Sequence, residues 1–188
     1  MPVIKGNGYG LTLPRLAREA TRLGVDSVAV GTPFEVEAVA ARFTGDILVL
    51  QPWDPRDTIA ARAWAAIDAT STASRVVRTV ASTDILHRIA QDATSEVQIV
   101  LEGLTSMRRF GLEEPNLDAV LADDTIRRAL HSGRIRLRGA AVHLPINEPS
   151  SPQVATLNSS PSEAQLSDQA SNRVRETWGW AVTWIRAL

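Results

Sequence analysis

Apolar runs without in/out alternation constrain this chain more than any other feature. Ser27-Val28-Ala29-Val30-Gly31, Ile47-Leu48-Val49-Leu50 and Val97-Gln98-Ile99-Val100-Leu101 are short and β-branched. Runs of that kind suit strands buried on both faces. Val3-Ile4, Arg75 to Val80 and Leu137 to His143 extend the series to six. Between them apolar residues recur at helical spacing. Leu13, Leu16, Ala17, Ala20 and Leu23 precede a stop at Gly24, and Val36, Val39, Ala40 and Phe43 share another face. Further helices are expected from Thr58 to Ala66 with Trp64 packed inward, around Leu86, Ile89 and Ala90, and from Leu117, Val120 and Leu121 to about Gly133. Thr32-Pro33-Phe34-Glu35 reads as a capping box with proline at the first helical position. Strands alternating with helices predict an α/β fold whose parallel sheet is covered by helices. Spacing alone allows an open doubly wound sheet or part of a (β/α)8 barrel.

The 188 residues are enough for one domain with a real core. With 20 basic and 21 acidic residues, the charge balance favours neither nucleic acid nor an anionic membrane. The lack of cysteine excludes disulfides, thiolate catalysis and thiolate metal sites. His87, His131 and His143 show no ligand spacing, so no metal is expected. No apolar run reaches membrane-span length and no leader precedes the first strand, so a soluble, cytoplasmic protein is expected.

Chemistry collects where strands end. Val3-Ile4 delivers Lys5 to the glycine-rich turn Gly6-Asn7-Gly8-Tyr9-Gly10, which holds the only tyrosine. In parallel α/β folds ligands sit at the carboxyl ends of the strands. A partly desolvated lysine there can form a Schiff base with an aldehyde cofactor. Two more strands end on Glu102 and His143, and Arg109 lies in the loop after Glu102. Singly, each has a plain structural explanation: solvated cations, a capping carboxylate, a core histidine. Together on one rim they favour a site.

These residues also carry a resemblance. Val3 to Gly10 resembles the pyridoxal-phosphate lysine motif of the alanine racemase family, V-[VI]-K-A-[ND]-A-Y-G. Leu101 to Gly111 is similar to its L-K-[IV]-D-T-G-M-x-R-[LF]-G motif, and Gly139 to Leu144 resembles its G-[LI]-x-[ST]-H-[FL] strand. Val28 to Val39 is similar to its A-V-A-T-x-x-E-A segment. The likeness covers about residues 1–145. It implies a (β/α)8 TIM-type barrel, incomplete with about six βα units, carrying pyridoxal 5′-phosphate in an amino-acid racemase. Lys5 would be the Schiff-base lysine and one proton-transfer base. Tyr9 would hydrogen-bond the cofactor phosphate, Arg109 would hold the cofactor's ring-oxygen side and the substrate carboxylate, and His143 would pack on the pyridine ring.

Departures accompany the likeness. Gly6 and Gly8 replace the usual alanines, and Leu104-Thr105-Ser106 replaces Asp-Thr-Gly. Glu102 stands where many members carry a carbamylated lysine, so it is expected to supply directly the negative charge that braces Arg109. The family's preceding segment, last strands, later phosphate loop and second catalytic tyrosine have no counterpart, so a truncated product without turnover on its own is expected. A homodimer is expected for the full-length parent. Residues 1–149 are read as the partial barrel, 150–172 as a Ser/Pro-rich linker or insertion, and 173–188 as an amphipathic helix with Trp178, Trp180 and Trp184. Two other readings remain: a non-catalytic pyridoxal-phosphate carrier of the same fold, and an unrelated phosphate- or sugar-binding module.

Overall fold

The computed structural model describes residues 1–105 and 108–143. The expected linker and final helix lie outside the described residues. Five strands, β1 (Ser27–Val30), β2 (Asp46–Pro52), β3 (Val76–Val80), β4 (Val97–Gly103) and β5 (Ile135–Val142), pair in parallel in the order β1-β2-β3-β4-β5. Val3, expected as a strand, makes a single parallel bridge to Ala29. A sheet order that follows the sequence without reversal is how βα barrels wind, whereas a doubly wound sheet reverses at its centre.

Helices α1 (Leu13–Arg22), α2 (Val36–Ala40), α3 (Thr58–Asp68), α4 (Thr83–Asp92), α5 (Glu114–Ala122) and α6 (Asp124–His131) fill the connections. Strand residues facing them are almost wholly buried. Val28, Val30, Ile47 and Val49 pack with Val39, Phe43 and Trp64, while Val80, Ile99, Leu101 and Ile135 pack with Leu86, Ile89 and Ile126. Each such side chain contributes about 1.5–3 kcal/mol of burial. Arg78 joins this layer as its one charged strand residue. It pairs with Asp68 and lies 4.8 Å over the Trp64 ring, so its charge is partnered.

The other face of the sheet carries a smaller cluster: Ala29, Leu48, Val77 and Val100, with Leu50 and Ala141 beside it. The sheet is curved around this face. Arg138, the extra residue of a bulge between the Ile99 and Val100 pairings, donates to Gln98 on β4 and to Asp46 on β2 at 2.5 Å. In a flat sheet β2 and β5 would stand about 14 Å apart, beyond the reach of such a pair. The face holding Leu48 and Val100 is therefore concave.

Several boundaries differ from the sequence reading, three of them with a clear physical cause. The single helix expected up to Gly133 is two, broken at Asp123, whose side chain accepts from the Thr125 and Ile126 N–H groups and starts α6. Arg75 belongs to a 3-10 turn before β3, where its guanidinium donates to the Ala40, Phe43 and Gly45 carbonyls and closes the end of α2. β2 runs on to Pro52, with Trp53 N–H donating to Thr79 O.

Candidate functional site

Lys5 leaves the edge of the sheet at its carboxyl end. Ile4 N–H donates to Ala29 O, and Ala29 N–H to Pro2 O, both at 2.8 Å, which sets the segment beside β1. Val3 opposes Ala29 of the concave cluster, so alternation sends Ile4 into the helix-side core and Lys5 to the concave face. The Lys5 Cβ lies 3.2 Å from where a Cβ on Gly31 would be. Gly31 is two residues beyond Ala29, on the same face.

The turn after Lys5 is left-handed throughout. Gly6, Asn7, Gly8, Tyr9 and Gly10 all have φ between 54° and 89°. Glycine adopts that conformation at little cost and alanine does not, so the replacement of the motif's alanines by Gly6 and Gly8 fits this geometry. Gly8 is packed so closely that a Cβ would fall 2.0 Å from Leu16 Cδ1. Asn7 Oδ1 accepts from Leu13 N–H and so caps α1 from within the turn. Tyr9 is fully exposed on the outside of the turn.

One carboxylate ties this turn to the sheet. Glu35 Oε1 accepts from Gly6 N–H at 2.7 Å, and Glu35 Oε2 accepts from the Gly31 and Thr32 N–H groups. The capping box around Thr32 is present as the sequence suggests. Its reach to Gly6 is not legible in the sequence, because the two residues lie 29 positions apart and are brought together by the Val3–Ala29 pairing.

Glu102 ends β4 on the concave face, two residues beyond Val100, with 6% of its surface exposed. Its Oε2 is buried with no hydrogen-bond partner among the described residues. Burial pushes the Glu102 carboxyl above the usual carboxylate range, and the positive charge of Arg109 pulls it part of the way back. Arg109 can act there because its loop returns to the strand it left. Leu112 N–H donates to Glu102 O, and Leu104 N–H donates to Leu112 O. Gly111 makes the closure possible. Its φ is +135°, and a Cβ would lie 2.3 Å from Leu104 N. The Arg109 guanidinium is exposed and stacks 5.2 Å from the Phe110 ring centre.

His143 follows β5, and alternation from Ala141 puts it on the concave face, half-buried. Its carbonyl accepts from Thr105 Oγ1 at 2.6 Å, which pins the Arg109 loop to the end of β5. Lys5, Glu102 and His143 thus share one face and one end of the sheet, and Tyr9 stands fully exposed in the turn that follows Lys5. Two clefts lie elsewhere: one of about 680 Å³ between α2 and α3, another beside α6. Neither touches the strand ends.

A family model described as alanine racemase, N-terminal domain, matches residues 1–177. The chain belongs to that family. Alanine racemase of Mycolicibacterium vanbaalenii is 28% identical over 146 residues, covering 77% of this chain and 35% of that protein. Among solved structures, alanine racemase from Bacillus anthracis with bound L-Ala-P is 23% identical, with a TM-score of 0.60 over 95% of this chain and 40% of that one. Alanine racemase from E. faecalis is 19% identical, with a TM-score of 0.64 over 96% and 43%. This member of the alanine racemase family therefore spans well under half the length of the relatives it matches. At these identities the structural likeness establishes the shared fold.

Proposed function

We propose that the chain is an incomplete (β/α)8 barrel of about six βα units that binds pyridoxal 5′-phosphate for amino-acid racemisation. Lys5 holds the cofactor aldehyde and serves as one proton-transfer base. The observation that carries the reading is the common address of Lys5, Glu102 and His143 on the concave face at the carboxyl ends of the strands. An amine, a guanidinium and an imidazole around that rim suit an anionic aromatic aldehyde and an amino-acid carboxylate. When bound, the cofactor supplies an electron sink that acidifies the substrate α-proton.

The chain's own groups supply position and charge. Arg109 faces the substrate carboxylate, and Glu102 braces the guanidinium from behind as a directly supplied negative charge. Their mutual attraction is already felt at Glu102, and closer approach of Arg109 favours its charged form. His143, carried beside them by the Thr105 hydrogen bond, packs against the pyridine ring. Tyr9, exposed in the left-handed turn four residues after Lys5, hydrogen-bonds the cofactor phosphate. Cytoplasmic location and a homodimeric parent enzyme belong to the same proposal.

The test is an absorption spectrum of the folded chain with added pyridoxal phosphate, for wild type and Lys5→Ala. The expected result is a protein-bound band that disappears in Lys5→Ala and is bleached by borohydride. No Lys5-dependent band in a folded chain would overturn the reading.

A further inference from the structure

We propose that Glu35 is the positioning residue for the Lys5 amine, acting through the backbone N–H of Gly6. The inference rests on the reading of Lys5 as the cofactor-bonding lysine. Lys5 is weakly held by its own segment. Before it, one bridge joins Val3 to β1, and after it come five residues in left-handed conformation, three of them glycine. Glycine-rich backbone loses the most freedom on ordering, so this turn needs an external anchor to hold one geometry.

Glu35 is that anchor. Its carboxylate collects three backbone N–H groups from two segments: Gly6 on one oxygen, Gly31 and Thr32 on the other. Charge-assisted bonds of this kind are stronger than neutral ones and fix distances closely. Gly31 leaves room for the arrangement. A Cβ there would stand 3.0 Å from Glu35 Oε2 and 3.2 Å from Lys5 Cβ, so carboxylate and lysine stem share the space above it.

A helix cap alone would require only the Thr32 half of this network. The capping box is complete without Gly6, so the bond to Gly6 serves something else. Lys5 is the residue whose backbone it immediately fixes. Glutamine at position 35 presents an NH2 to one set of N–H donors, so it must release either Gly6 or the Gly31–Thr32 pair. Aspartate keeps the charge but is one methylene shorter, too short to span both.

The experiment compares Glu35→Gln, Glu35→Asp and Thr32→Ala in the full chain. Thr32→Ala removes the hydroxyl half of the capping box and leaves the N–H that Glu35 uses. Three readouts are taken: the fraction of Lys5 trapped by borohydride with pyridoxal phosphate, affinity for pyridoxine phosphate, and hydrogen exchange of the Gly6 amide without ligand. Pyridoxine phosphate is an alcohol and cannot condense with an amine. Both Glu35 variants should cut capture at Lys5 by about tenfold, keep pyridoxine phosphate affinity within about twofold, and speed Gly6 exchange. Thr32→Ala should lower the melting temperature and leave capture at Lys5 unchanged. Wild-type capture in a folded Glu35 variant, or losses in Thr32→Ala as large as in Glu35→Gln, would overturn the proposal. If the wild type itself shows no Lys5 capture, the cofactor reading fails, and Gly6 exchange decides the anchor: an unchanged rate in both Glu35 variants overturns it.

Discussion

Glu102 is placed where a carboxylate is costly, and the cost has a sign that can be measured. Burial raises its folded-state pKa above the unfolded value, with Arg109 offsetting part of the shift. Between those two values the folded chain holds more proton than the unfolded one. Its contribution to stability is therefore most favourable in acid, and it declines as pH rises from about 4.3 to the raised folded value. Glu102→Gln removes the titration. In urea unfolding from about pH 4 to about pH 8, the variant should gain on wild type as pH rises. Parallel pH profiles would show that Glu102 is not desolvated in solution. The residues at strand ends were legible because strand and loop patterns announce where a strand stops. The Glu35–Gly6 bond and the need for Gly111 were not, since each arises from a chain segment folding back onto a partner that spacing does not reveal.

At the scale of elements, apolar runs marked β1, β2 and β4, because a strand buried on both faces leaves little freedom in composition, whereas β5 alternates exposed with buried or half-buried residues. The stretch from Glu114 to His131 was misread as one helix for an equally physical reason. No glycine or proline stands between Leu117 and His131 to mark a stop, so composition hides the interruption at Asp123. There the backbone turns extended (φ −75°, ψ 120°) and the carboxylate takes two N–H groups of the next helix. The Ile126 N–H foremost, and then the charge of His87, hold the Asp123 carboxyl below its ordinary range. Asp123→Ala should cost about 1 kcal/mol in urea unfolding near neutral pH, while Asp123→Asn, an equally good cap, should keep most of the stability. Equal losses in the two variants would assign the effect to charge rather than to capping.

At the scale of the whole molecule, curvature brings the strand ends round one concave face, and a polar contact across that face reports it. Sequential parallel order makes a barrel arc natural but sets no radius. The contact between Asp46 at the start of β2 and Arg138 in the β5 bulge does, because it crosses the concave face over β3 and β4. Gln98 receives the same guanidinium from below, so the three side chains close the end of the arc opposite Lys5, Glu102 and His143. Both ionic partners keep roughly a third of their side-chain surface exposed, at 32% and 27%, so solvent screens the pair and its worth is modest. A double-mutant cycle with Asp46→Asn and Arg138→Met, read by urea unfolding, should give a coupling of about 1 kcal/mol that shrinks in high salt. Strict additivity would show that solvent screens the pair completely and that it adds nothing to holding β2 and β5 together.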